Sequence, residues 1–158
     1  MATRKRAAQE SPRDLKHLAI HMLVSEGFLV FSNVAAKDTI DLMIGVPKSG
    51  ELRIAAIRIK TSSYHENRKG WYFSESEAKF SIEKPHFFYI FCLDKKDEFK
   101  PMFVVISNKD LKEMTDTYRD GNYAFQISKS QSEGTNIRGN DWTPYKDNFK
   151  QIKQALEE

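Results

Sequence analysis

The stretch from Thr39 to Ser63, T-I-D-L-M-I-G-V-P-K-S-G-E-L-R-I-A-A-I-R-I-K-T-S-S, decides how the chain folds. Two apolar, β-branched runs, residues 40–46 and 52–61, flank Pro47-Lys48-Ser49-Gly50. Proline presets φ and glycine accepts positive φ, so the segment reads as two strands joined by a turn, a β-hairpin. Strand side chains alternate, which places Leu52, Ile54, Ala56, Arg58 and Lys60 on one face and Arg53, Ala55, Ile57 and Ile59 on the other. Antiparallel pairing brings Asp41, at the start of the first strand, beside Arg58 and Lys60, at the end of the second. Taken alone, the three make an ion pair at a strand end.

Around the hairpin the chain reads outward as alternating helices and strands. Ser11, Pro12 and Asp14 form a helix start, with an N-cap, a proline at the first position and an acid in the first turn. Leu15, Leu18, Ala19, Met22 and Leu23 repeat at helical spacing as far as Gly27. A strand follows over residues 28–34. Beyond the hairpin, a polar loop carrying His65, Arg68 and Lys69 leads into Trp71-Tyr72-Phe73-Ser74. The runs 87–93 and 102–107 are nearly continuous in apolar residues and predict a second, buried hairpin. Ser107 with Asp110 opens a helix expected to reach about Tyr118. A last strand is expected over 123–128, a long loop over 128–141, and a final helix from Thr143-Pro144 with Tyr145, Phe149, Ile152 and Leu156 on one stripe.

An amphipathic helix, G-F-L-V-F-S at 27–32, I-D-L-M-I-G at 40–45, a turn and I-R-I-K-T-S-S at 57–63 together resemble the core of the PD-(D/E)XK nuclease superfamily, the restriction-endonuclease-like fold that includes archaeal Holliday-junction resolvases. The resemblance covers residues 14–63, about half the chain. It implies an α/β core with a central mixed sheet of about five strands flanked by helices. It also implies that Asp41 is the aspartate of the first motif and a metal ligand, and that Lys60 is the lysine of the second. Arg58 departs from it: the family carries Glu, Asp or Gln there. The resolvase-like branch also takes a glutamate from the first helix, and that position falls near Lys16 or His17.

Metal-dependent phosphodiester hydrolysis needs hard oxygen ligands for Mg²⁺ and a cation beside the attacking water. A guanidinium at position 58 replaces an anion by a permanent cation and can instead form a fork with Asp41. The expected catalytic-site set is therefore Asp41, Arg58 and Lys60, with Mg²⁺ a cofactor only if another carboxylate, Glu75, Glu77 or Asp14, completes the ligands. Three readings follow. The first is a nuclease-fold nucleic-acid-binding protein with a degenerate site in an accessory role. The second is an active Mg²⁺-dependent endonuclease with a migrated carboxylate, and the third a protein-interaction module with no nucleic-acid role.

The 158 residues suggest one domain over 11–158, preceded by a basic arm over 1–10 that holds Arg4, Lys5 and Arg6. The charge balance, 25 Lys and Arg against 22 Asp and Glu, is too even for net charge to identify a polyanionic partner, so local clusters have to do so. Those clusters are Arg4-Lys5-Arg6 and the loop His65, Arg68 and Lys69, which suit the phosphates of DNA or RNA and equally suit solvent. Cys92, the single cysteine, precludes an internal disulfide and argues against a Cys-based zinc site. His17 and His21 lie four apart but lack a third ligand nearby, so they read as surface histidines. No apolar run spans a bilayer and no signal-like segment precedes the first helix, which predicts a cytoplasmic protein with no membrane contact. Many relatives of this fold dimerise, making a homodimer a possible state that no stretch of sequence specifies.

Overall fold

The computed structural model describes residues 12–32, 40–77, 86–95, 100–114 and 117–158. The arm with Arg4, Lys5 and Arg6, the Ser11 cap and the connection before Thr39 lie outside the described residues. The elements are α1 (Pro12–Ser25), β1 (Leu29–Ser32), β2 (Leu42–Lys48), β3 (Glu51–Ser63), β4 (Gly70–Ser76), β5 (Phe87–Asp94), β6 (Met102–Ser107), α2 (Asn108–Glu113), β7 (Thr117–Arg119), β8 (Asn122–Ser128), α3 (Lys129–Glu133), a 3₁₀ turn (Thr143–Tyr145) and α4 (Lys150–Glu157).

The hairpin that organises the sequence organises the fold. β2 and β3 pair in the register Leu42–Ile57 to Lys48–Glu51. The turn is tighter than expected. Pro47 and Lys48 remain in β2, and Ser49 and Gly50, with φ of 52° and 78°, make the two-residue connection whose twist matches paired strands. β1 adds antiparallel to β2, β5 adds parallel to β3, and β6 pairs antiparallel with β5. The result is a mixed five-stranded sheet in the order β1-β2-β3-β5-β6.

Alternation along β3 separates two cores. Ala55, Ile57 and Ile59 face Leu15, Ala19 and Leu23 of α1 and Ile152 and Leu156 of α4. Ala56, on the other face, joins Trp71, Phe73, Tyr89, Phe91, Phe125 and Ile127, buried beneath a second sheet in the order β4-β8-β7. Trp71 belongs to this core at 1% exposure, and its indole N–H donates to the Asp94 carbonyl at 2.9 Å. Cys92 is fully buried, as expected.

Three elements differ from the sequence reading. The helix opened by Ser107 ends at Glu113, and Thr117–Arg119 is instead a strand of the second sheet. Asp120 and Gly121, at φ 52° and 78°, turn that strand back into β8, and an Asp-Gly pair is a strong hairpin signal. The loop expected over 128–141 begins with α3, closed by a capping box between Ser128 and Gln131. The final helix starts at Lys150. Asp147 takes φ 50°, donates its N–H to the Phe103 carbonyl at 2.7 Å and accepts from the Phe103 N–H at 3.0 Å, which breaks the helical path. Tyr145 accordingly packs on the Trp71 core while Phe149, Ile152 and Leu156 pack under α1. Among the described residues no helix is long and apolar enough to cross a membrane.

Candidate functional site

Past Leu42 the strand β2 has ended while β3 continues to Ser63, so the side of β3 next to β2 lacks a neighbouring backbone. Asp41 fills that place. Its N–H donates to the Ile57 carbonyl at 2.9 Å, and its Oδ2 accepts the Ile59 N–H at 2.7 Å. The carboxylate thus extends the ladder by one step and is fixed one register position beyond the Leu42–Ile57 pair, opposite Arg58.

Lys16 of α1 reaches the other carboxylate oxygen, Nζ to Oδ1 at 3.0 Å. It is placed there by the packing of its neighbours Leu15 and Ala19 against the sheet. Arg58 approaches Asp41 only loosely, with a terminal nitrogen 3.9 Å from Oδ2, and the fork expected between these two does not form. Its guanidinium turns instead to Glu75 of β4, Nε to Oε2 at 2.9 Å. Charge explains the preference. The Glu75 side chain is 3% exposed against 21% for Asp41, and a buried carboxylate needs a paired cation more than a half-exposed one does.

Lys60 lies 3.7 Å from the same Glu75 oxygen and donates to the Ser74 carbonyl, while the Tyr89 hydroxyl donates to Glu75 Oε2 at 3.3 Å. Burial, reinforced by the Glu75 charge, holds the Tyr89 phenol far above its ordinary pKa, so it stays a donor at any physiological pH. Asp41 and Lys60 are joined through Arg58 and Glu75 rather than directly.

Glu75 is the expected migrant that reaches this constellation. Glu77 is exposed at the end of β4, its N–H given to the Gly121 carbonyl, and Asp14 is exposed in the first turn of α1. His65, Arg68 and Lys69 sit at the opposite end of β4, six to ten residues before Glu75. Arg68 lies 4.9 Å over the Tyr72 ring, and the His65 ring meets that of Tyr72 edge-on at 5.4 Å. This is a separate basic and aromatic surface, not a wall of the Asp41 site. His17 and His21 are exposed.

Whether these residues suit a divalent cation turns on free oxygen ligands. Asp41 Oδ1 is held by Lys16 and Oδ2 by the Ile59 N–H. Glu75 Oε1 accepts the Ser76 N–H at 3.2 Å, and Oε2 is shared by Arg58, Lys60 and Tyr89. All four carboxylate oxygens have protein donors, and among the described residues Lys16, Arg58 and Lys60 face these two carboxylates. Among the described residues no three His, Cys, Asp or Glu side chains converge as a metal site. The donor set does not fit a hard cation, which needs anionic oxygen in excess.

No protein-family model matches the chain, and no curated protein sequence matches it. Among solved structures it is similar to a bacterial homing endonuclease, I-Ssp6803I, with a TM-score of 0.66 and 13% identity over 92% of this chain and 91% of that one. It also matches Hjc, a Holliday junction resolvase from the archaeal hyperthermophile Archaeoglobus fulgidus, with 15% identity over 73% of this chain and 88% of that one and a TM-score of 0.39. The chain shares the α/β fold of the homing endonuclease, and its mixed five-stranded sheet flanked by helices is as expected.

Proposed function

We propose that this protein binds nucleic acid on a nuclease fold without using the site for metal-dependent cleavage, in an accessory or regulatory role. The observation that carries the reading is the insertion of the Arg58 guanidinium between Glu75, at 2.9 Å, and Asp41, at 3.9 Å, where the resemblance calls for a carboxylate. With Lys16 and Lys60 it gathers three cations at one place, their side chains 41%, 17% and 19% exposed for Lys16, Arg58 and Lys60. A phosphodiester competes for these cations by charge-assisted hydrogen bonds, the guanidinium offering two parallel donors. The fold shared with a homing endonuclease and the Arg68 and Tyr72 surface support a polynucleotide as the ligand.

A second reading has one observation in its favour. Glu75 is a carboxylate from a neighbouring strand on the side of β3 that carries Arg58 and Lys60, the placement a migrated ligand of an active Mg²⁺-dependent endonuclease would have.

Fluorescence anisotropy with labelled duplex, single-stranded and branched DNA and duplex RNA at low salt tests the first reading, run beside a cleavage assay with Mg²⁺ and Mn²⁺. Binding without cleavage is the expected result. Cleavage abolished by both Asp41→Asn and Glu75→Gln would replace the first reading by the second. Absence of binding to every substrate would leave the interaction-module reading.

A further inference from the structure

The second sheet turns two different faces to its surroundings. Trp71, Phe73, Phe125 and Ile127 point into the core between the sheets, so alternation turns Tyr72, Gln126 and Ser128 to the outer face. Register sets Tyr72 opposite Gln126 and Gly70 opposite Ser128. The Tyr72 and Gln126 side chains are therefore cross-strand neighbours, roughly 5 Å apart at Cβ. At this end of the sheet the Lys129 N–H donates to the Lys69 carbonyl at 3.1 Å, which ties the His65, Arg68 and Lys69 loop to the start of α3.

Beside Gln126 lies a cavity of about 460 Å³, lined by Gln126, Ser128, Ser130, Gln131, Asn136 and Arg138, every one a described residue. Its shape is fixed by one buried side chain. Gln131, 9% exposed, accepts the Ser128 N–H at 2.9 Å through Oε1 and donates from Nε2 to the Arg138 carbonyl at 2.7 Å, which ties the loop 134–139 to the end of β8. Gly139 completes the wall at φ 82°, and a Cβ there would lie 3.2 Å from Gln131 Nε2. The lining thus offers amides, hydroxyls and one guanidinium, and none of the described residues that line it is a carboxylate. Glu133, on α3, pairs with Lys129 at 4.0 Å.

The volume falls in the range of small-molecule sites, roughly 300–1,000 Å³, and is more than a lone phosphate fills. Side-chain amides present a donor and an acceptor side by side, which matches the edge of a nucleobase, and a guanidinium matches a phosphate. In a duplex the bases are stacked and paired, so only an unpaired nucleotide can carry its base edge into a concave pocket. We infer that this cavity takes one unpaired nucleotide of a nucleic-acid strand, its base edge on Gln126 and Asn136 and its phosphate on Arg138. The Arg68 guanidinium, 4.9 Å over the Tyr72 ring on the same face, meets the neighbouring nucleotide by stacking and charge. Such a pocket rests on the nucleic-acid-binding reading and narrows it to strands with unpaired nucleotides.

Proton–nitrogen correlation spectra of the full chain, recorded with each of the four deoxynucleoside 5′-monophosphates in turn, are expected to show the side-chain amide signals of Gln126 and Asn136 shifting with at least one of them. Inorganic phosphate at the same concentration is expected to leave those signals in place. Fluorescence anisotropy then compares a short labelled single strand with the same sequence as a duplex. Gln126→Ala and Arg138→Gln, each confirmed folded by near-ultraviolet circular dichroism, are each expected to lower the ratio of single-strand to duplex affinity by about tenfold. A ratio unchanged in either variant overturns the inference, while duplex binding leaves the nucleic-acid-binding reading standing. Amide signals unmoved by every nucleotide, or moved equally by inorganic phosphate, overturn it as well. Absence of binding to both single strand and duplex overturns the inference and the reading together.

Discussion

The Arg58 guanidinium, 2.9 Å from Glu75 Oε2, is the cation that allows a carboxylate 3% exposed to sit between the two sheets. Removing one member leaves the other poorly paired, whereas removing both leaves the net charge of the cluster unchanged. Arg58→Met is expected to cost about 3 kcal/mol, since it strands the more buried partner, and Glu75→Gln about 1–3 kcal/mol. The double variant is expected to be less destabilised than the two single losses added, with a coupling of at least about 1 kcal/mol in urea unfolding. Additive losses would show that the pair is only a contact.

How much of this was legible in the sequence depended on the range of the forces involved. Asp41, Arg58 and Lys60 converge because a hairpin register and a two-residue period are local rules, and the residues obey them. Glu75 could only be named as a candidate. Its place is set by β4 lying on the main sheet through Trp71 and Phe73, a tertiary contact with no periodic signature. The second sheet is obscured for a related reason: the helix expected from Ser107 to about Tyr118 runs over the start of the strand Thr117–Arg119, although Asp120-Gly121 carries a turn signal. The position where the resemblance calls for a glutamate falls near Lys16 or His17, and the pairing of Lys16 with Asp41 depends on how α1 docks on the sheet, which no sequence rule specifies.

Binding through the site should be electrostatic and therefore salt-dependent. Each phosphate contact releases counterions, so log affinity is expected to fall linearly with log salt concentration. Lys16→Gln and Lys60→Gln are each expected to reduce that slope by about 1 on duplex DNA without changing sequence preference. Arg68→Gln tests the Tyr72 surface independently. A slope unchanged by Lys16→Gln and Lys60→Gln but reduced by Arg68→Gln would move the binding surface away from Asp41.

Cys92 gives the fold an alkaline limit. Burial pushes its thiol from 9.0 up to about 12, the nearby Lys16 charge offsetting this in part. A raised pKa means that the native state holds its proton where the unfolded chain has released it. This contribution is complete below pH 9 and is lost progressively as pH rises from about 9 through about 12. The urea midpoint is expected to decline across that window, and Cys92→Ala, though less stable at neutral pH through the lost sulfur, is expected to decline less steeply there. Equal slopes for the two proteins would assign the alkaline loss to other groups, the buried Tyr89 first among them.

The sharpest test of the site's chemistry reverses the charge at Arg58. In the wild type every oxygen of Asp41 and Glu75 is engaged by a protein donor, so millimolar Mn²⁺ is expected to leave the melting temperature unchanged. Arg58→Glu removes the guanidinium and brings a third carboxylate beside Glu75 and Asp41. Without metal that variant is expected to be less stable by several kcal/mol, on the order of 3–5, because like charges meet a buried carboxylate that has lost its partner. With metal the same three carboxylates become a hard-oxygen ligand set, so Mn²⁺ is expected to restore part of the lost melting temperature in a concentration-dependent way. Calorimetry should then show binding to the variant and not to the wild type. Cleavage need not return, since Lys16 still pairs with Asp41 where the resemblance calls for a further carboxylate, and ligands alone do not orient an attacking water. Mn²⁺ binding to the wild type with an affinity equal to that of Arg58→Glu would mean that Arg58 does not occupy the metal position, and the metal-free reading would fall with it.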